Sequence, residues 1–511
     1  MGVPQRVSVP LIGPSSKARF EDQQSGETIN LYPETNDADA KAVIALHAVP
    51  GFFRVANLTA TITGDPAIRG FHIMGGRFFA VVAEKICEIT FPSDLTAFTA
   101  PIVLATLSTF AGRVCISDNN GKLVIGDGTG FYVLDLDALV LSPVLNEDTD
   151  IIRGTFSRWI DGYTLYFERD SSRYYYSAIN DPSTVEGLNF LSAEGSPDNT
   201  IAALVVNREV IIAGTDSMEG HFNSGGADNA FERRSGAYQD IGCAARWSLV
   251  QCDNAAAMVA RNANGQGQVV RISSAGAAPL VISNTAVEHD LAKVLFSTLD
   301  RADLTEQITA FSYDESGHRF YVLNLPAVGA TVNSPAQSSR TWVYDFVTGL
   351  WHRRGYTNPA TGLFERILAD HHVLWRGRHY VGPYNVAHIL EMSHDYYRDN
   401  TLPLIKWRET AGPMSFQGRS WTLNRLEIQG NHGHGRDGGV QGSDPQVMVQ
   451  FCWDGNWSNP VPRPWGKIGE RNAKAVWDKC GWGHNLVLRI WCSEPIPFAL
   501  TQGLADVTLG R

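Results

Sequence analysis

AVIALHAVPGFFRV (residues 42–55) and, after a polar gap, IRGFHIMGGRFFAVVAEKICEIT (residues 68–90) decide the reading of the fold. Two short apolar runs flank Pro50-Gly51. Gly75-Gly76 then marks a turn, and residues 78–82 and 86–90 read as strands rich in Phe, Val and Ile. The residues between those strands suffice for a tight hairpin.

The same unit recurs along the chain. Strand, turn and strand repeat in GRVCISDNNGKLVIGDGTGFYVLD (112–135), DGYTLYFERDSSRYYYSAI (161–179), NREVIIAGTDSMEGHF (207–222) and NAAAMVARNANGQGQVVRIS (254–273). They repeat again in DESGHRFYVLNLP (314–326), RTWVYDFVTGLWHRRG (340–355) and VLWRGRHYVG (373–382). Asn120-Gly121 is a strong hairpin signal, because both central residues of such a turn need positive φ. Landmark turns fall at Gly76, Gly121, Gly162, Asn207, Gly265, Gly317 and Gly377. A loose period of roughly 40–60 residues with several strands per unit predicts a β-propeller of about six blades, with five and seven also open. The competing architecture is a pair of β-sandwiches.

Length and composition set the frame. A chain of 511 residues exceeds one compact core and predicts two or three domains. With 44% apolar and 19% charged residues, it is an ordinary folded protein. Its 48 glycines and 10% aromatics favour turn-dense, all-β structure. The net charge of −11 argues against a nucleic-acid binder by bulk electrostatics. Residues 401–511 carry 12 Lys and Arg against 9 Asp and Glu, leaving −14 on residues 1–400, and hold 8 of the 13 tryptophans. That shift predicts a boundary near residue 400. The expected domains are an extended arm over 1–42, a propeller over 43–400 with a helical insertion near 284–309, and an antiparallel β-sandwich-like domain over 401–511. Val287, Leu291, Val294 and Leu295 share one face of that helix. Val447, Val449 and Phe451 share one face of a strand, opposite Met448, Gln450 and Cys452. Residues 383–420 read as a linker.

Seven scattered cysteines without a CxxC pair predict buried, reduced thiols. The start MGVPQRVSVPLIG lacks the apolar run of a signal peptide, and no 18-residue apolar run predicts a membrane span.

Chemistry-bearing motifs are sparse: there is no GxSxG, Walker loop or HExxH. His432 and His434, with Asp437 nearby, are the nearest approach to a metal site, set against a glycine-rich surface loop. His371 and His372 point to opposite faces of a strand and chelate poorly. Asp135, Asp137 and Asp345 are glycosidase-type carboxylates if brought together, and turn formers otherwise. Tyr174 to Tyr176 offer either a sugar- or protein-binding patch or blade packing. No catalytic residue, metal ligand or cofactor is therefore assigned.

INLYPE (29–34), HAVPGF (47–52), NREVIIAGTDSMEGHFNSG (207–225), FERRSGAYQDIGCAA (231–245), SYDESGHRFYVLNLP (312–326) and TWVYDFVTGLWHRRG (341–355) together resemble the tail nozzle proteins of short-tailed bacteriophages. These are also called tail-hub or packaged-DNA stabilisation proteins. The family pattern has an Asn-x-Tyr-Pro arm, a Pro-Gly turn before the first blade and an I-E-x-F-x-x-T-G segment. Here Met218, Glu219 and Phe222 keep that spacing in part, His221 stands where an aromatic is common, and Ser224-Gly225 replaces Thr-Gly. The resemblance covers most of residues 25–360 and is weak beyond.

It implies a structural virion protein, made in the host cytoplasm and not an enzyme. The implied assembly is a homohexameric ring below the portal and its adaptor. Double-stranded DNA passes through its channel without sequence-specific binding, a needle or plug closes the channel, and spikes or fibres attach outside. An acidic or neutral lumen is expected, because Lys and Arg contacts to phosphate would hold the duplex. The rival readings are a propeller glycoside hydrolase or lyase, or a carbohydrate-binding module, acting on cell-surface polysaccharide. The arm at residues 29–34 is expected to close the propeller ring, and the first unit is expected beside residues 375–381.

Overall fold

The computed structural model describes residues 5–16, 26–35, 44–59, 67–91, 100–146, 150–226, 229–261, 267–295, 305–330 and 336–510. Six antiparallel blades take their strands consecutively from residues 68–106, 115–143, 154–192, 200–239, 242–281 and 309–354. A seventh sheet completes the ring and is composite. Ala369–Trp375, Arg378–Pro383 and His388–Ser393 supply three strands, and Gly51–Asn57 supplies the outermost. The first strand of each blade lies innermost and neighbours the first strand of the next, with Ala369–Trp375 returning to Ile68–Met74.

The opening stretch therefore does lie beside the last propeller strands. Trp375 Nε1 donates to the Gly76 carbonyl at 2.7 Å, and Leu58, Phe78 and Val82 share one core with Trp375, Tyr380 and Ile389. The closing strand is not the arm, however. Leu31–Thr35 pairs with Ile44–Ala48 in the sandwich, and the strand after Pro50-Gly51 closes the ring. Nor are residues 383–420 a linker: they hold the third strand of the closing blade and the strand Lys406–Glu409.

The hairpin chemistry follows the sequence. Asn120 and Gly121 have φ of 47° and 79°, the pair that a two-residue turn demands. Blade strands are buried on both faces because each blade stacks on two neighbours. Phe78, Phe79, Phe131, Tyr166 and Tyr174 are fully buried as a result, each contributing roughly 2–3 kcal/mol of transfer free energy. All seven cysteines are free and buried.

The helix is Thr285–Leu295. Asn284 caps it, accepting from the Val287 amide at 3.0 Å. Val287, Leu291, Val294 and Leu295 pack between the fifth and sixth blades. Asp290, on the same buried face, takes two hydrogen bonds from Arg340 and one from Trp342. Residues 296–304 lie outside the described residues.

Two sheets form the C-terminal sandwich. One orders Leu31–Thr35, Ile44–Ala48, Ala499–Leu509, Trp421–Gly430 and Ala475–Asp478, with Gln5–Val9 also paired to Ala499–Leu509. The other runs through Lys406–Glu409, Leu486–Cys492 and Gln446–Trp453. Val447, Val449 and Phe451 face the core between them, as the alternation predicts. Glu27–Ile29 fits between Lys406–Glu409 and the outer strand of the sixth blade, Leu350–Arg354. Blade and sandwich thereby share one continuous sheet.

Candidate functional site

Three constellations gather the polar chemistry. The first is the junction of propeller and sandwich. Asn30, with φ of 57°, sits at its centre. Asparagine tolerates this left-handed conformation better than most side chains. Its amide donates to the carbonyls of Gly355 (2.8 Å) and Ile405 (2.9 Å), and its Oδ1 accepts from the Gly355 amide (2.9 Å). One side chain thus bonds the sixth blade and the sandwich together. Arg408, buried, reaches back to the carbonyl of Leu11 and to Thr28 Oγ1. The arm is stitched to both halves of the molecule.

Tyr32 follows in the same arm, its ring among those of His47, His318, His352, His394 and Phe320. Burial, with Arg354 and His318 nearby, holds His352 well below the ordinary histidine value. Burial takes His394 to about 4. His318 is raised by its 2.8 Å bond to Asp345. A cleft of about 490 Å³ opens beside Tyr32, Glu34 and His394.

The second constellation lies where the closing blade meets its neighbours. Arg113, just before the second blade, and Arg366 both hydrogen-bond Asp370 of the closing blade, and Thr309 of the sixth blade donates to it as well. Arg113 also stacks over Trp247, 5.1 Å from the ring. Burial opposes the Asp370 charge, yet Arg113 and Arg366 hold its carboxyl far below the usual range. Its bonds to Arg113, Arg366 and Thr309 clamp the blades together. Burial, reinforced by Arg113, takes His371 to about 3. These contacts join parts of the ring that are not neighbours in blade order.

The third is the segment that carried the family pattern. Glu219 is buried and accepts from the Gly195 amide, while His221 bridges Glu219 (3.3 Å) and the Tyr174 hydroxyl (2.9 Å). Burial resists the charge on Glu219, but the bonds from His221 and Gly195 keep it ionised. The network ties the third blade to the fourth.

The remaining sequence candidates are dispersed. Asp135, in the second blade, accepts the amides of Asp137 and Ala138 at 3.0 Å each and shapes a turn. Asp137 is exposed. Asp345, in the sixth blade, takes the Val347 amide and His318. The three carboxylates are not brought together. Tyr174, Tyr175 and Tyr176 are all buried, so they pack the blade rather than form a surface patch. His432 packs on Trp465 and bonds its carbonyl at 3.1 Å, whereas His434 and Asp437 face solvent. Among the described residues no group of three His, Cys, Asp or Glu side chains can hold a metal ion. His371 and His372 diverge as expected, the latter meeting His379 at 2.9 Å. Among the described residues no helix is long and apolar enough to cross a membrane. Sequence reasoning missed Asn30 and Arg408. Asparagine before a Tyr-Pro step was the available sign of the first.

No curated protein matches the chain. Among solved structures it is similar to the computationally designed Ika8 protein, at 12% identity over 73% of this chain and 98% of that one, with a TM-score of 0.37. It is similar to the N-terminal domain of Nup159 at 10% identity over 72% and 100%, TM-score 0.38. It is also similar to Trypanosoma rangeli sialidase at 9% identity over 99% and 96%, TM-score 0.30. Residues 28–358 match the bacteriophage P22 Gp10 β-propeller family, and residues 407–508 match the bacteriophage P22 Gp10 β-sandwich family. With both parts matched in order, the chain belongs to the bacteriophage P22 Gp10 family and is a structural protein of a phage tail.

Proposed function

We propose that this chain builds the wall of the tail's DNA conduit. Copies form a ring, six in number by the family resemblance, below the portal and its adaptor. The ring helps retain the packaged genome, passes it during ejection, and offers its outside to spikes or fibres and its bore to a needle or plug. The observation that carries this reading is the sheet running without a break from the sixth blade through residues 27–29 into the sandwich. A wall under pressure from packaged DNA needs parts that do not hinge, and shared backbone hydrogen bonds with a buried arm provide that. The net charge of −11 supports a wall that does not grip phosphates.

Phage particles assembled without this chain test the proposal. Expected are heads that fill with DNA and then lose it, with retention restored when purified protein is added. Particles that keep their genome and eject it normally without the chain would refute it.

A further inference from the structure

The chain is electrically two-ended. Residues 135–240 hold 18 Asp and Glu against 7 Lys and Arg, which equals the net −11 of the whole chain. They span the end of the second blade and all of the third and fourth. Residues 401–511, which build most of the sandwich, are the basic stretch, with 12 Lys and Arg against 9 Asp and Glu. The sandwich is bonded to the sixth blade through residues 27–29, while strands 398–399 and 402–403 continue the closing blade towards it. In the order of blades around the ring, the third and fourth lie across from this attachment. The two ends are therefore on opposite sides of the molecule.

Each end also presents apolar side chains to solvent. On the outer face of the second sandwich sheet, Trp407 stacks on Trp491 with centroids 5.3 Å apart, and Arg489 lies 3.5 Å over the ring of Trp457. Trp457 is 37% exposed. At the acidic end, the loop after Arg173–Tyr176 carries Ile179 and Leu188, 59% and 81% exposed, with the exposed Glu186 between them. Trp and Arg are the residues that dominate the centres of protein interfaces. Like poles would meet in a symmetric dimer. Opposite poles on opposite sides suit a head-to-tail contact, in which each copy supplies one half at either side.

We infer that the sandwich face around Trp457 and Arg489 docks on the Leu188 loop of an adjacent copy. This rests on the ring-forming reading above and names the surfaces that would make the ring. The occupant of each face is a second copy of this chain, joined by an acidic loop with a protruding leucine against a basic, tryptophan-bearing sheet.

Mass photometry of purified full-length chain, across concentration and salt, tests this with two variants, Leu188→Arg and Trp457→Ala. Both positions are solvent-facing, and thermal melting confirms that each variant is folded. The wild type is expected to assemble, and less so as salt rises. Each variant alone should assemble at least about tenfold more weakly. Mixed together, they should stop at heterodimers, since the sandwich face of the Leu188→Arg copy and the loop of the Trp457→Ala copy remain intact. Variants that assemble like wild type, a mixture with no heterodimer, or a wild type that stays single at its highest soluble concentration in low salt would each overturn the inference. Rings that survive both substitutions sink the docking face and leave the conduit standing, because the conduit is judged by DNA retention in particles.

Discussion

Asn30 and Gly355, 325 positions apart, exchange a pair of hydrogen bonds: the Asn30 amide donates to the Gly355 carbonyl at 2.8 Å, and the Gly355 amide donates back at 2.9 Å. A third bond carries the same side chain to Ile405 in the sandwich. Asn30→Gly keeps the left-handed backbone and removes all three bonds. It should cost about 2–4 kcal/mol, because buried partners are left unpaired. Calorimetry should show a lower melting temperature, and protease should cut the arm sooner. A variant as stable as wild type would show that the junction holds without this residue.

Ring closure depends on a glycine for steric reasons alone. A Cβ on Gly51 would lie 2.2 Å from the Tyr396 carbonyl oxygen and 2.5 Å from that of Arg398. Gly51→Ala should therefore unseat the strand Gly51–Asn57, with destabilisation on the order of 3 kcal/mol or more. Hydrogen exchange should rise in 51–57 and 388–393 before the other blades. Uniform protection across the ring would contradict this assignment of the closing strand.

Asp399 is buried, its Oδ1 has no hydrogen-bond partner, and burial pushes its carboxyl up to about 7. In the unfolded chain the same group titrates near 3.8. Between these values the folded protein holds a proton that the unfolded chain has released, so stability falls as pH rises from about 4 to 7 and then levels off. Asp399→Asn should leave stability at pH 4 nearly unchanged and raise it at pH 8 by at most on the order of 4 kcal/mol, read from thermal melts at the two pH values. Equal gains at both pH values would show that charge is not the cause.

The buried histidines impose the opposite slope. Burial takes His371 and His372 to about 3, against 6.5 for an ordinary imidazole. As pH falls through that window the unfolded chain gains protons that the folded chain refuses, and stability is lost. His372→Phe keeps a ring against Phe311, which now stacks on His372 at 5.8 Å. It should flatten the acid limb of the melting curve by on the order of 3 kcal/mol. An unchanged acid limb would place the lability elsewhere.

Much of the propeller was legible because its signals are local. Asn120-Gly121, Gly162 and Gly317 mark inner hairpins by turn chemistry alone, and each of the six landmark turns within the described residues belongs to a different sheet. Gly265, the seventh, lies outside the described residues. The composite sheet was harder to count, because Gly51–Asn57 reads like the start of the first blade and pairs instead with residues more than 300 positions on. The helix face was readable from spacing, and the sandwich alternation at Val447 to Phe451 likewise. The junction was not. Asn30 and Arg408 act mostly through backbone groups, which leave no mark on the sequence that supplies them. The Tyr174 run misled in one of its two readings, since strand alternation cannot tell a packed face from an exposed one.

The arm bears on how the molecule is made. Gln5–Val9 finds its partner in Ala499–Leu509, and Glu27–Ile29 needs both residue 353 and residues 407–409. Blades one to six can form as each hairpin leaves the ribosome, while the earliest-made segments wait for the last. Contacts this distant in sequence are slow to form and expose strand edges meanwhile. Setting the arm should therefore be the final folding step, after which propeller and sandwich become one body.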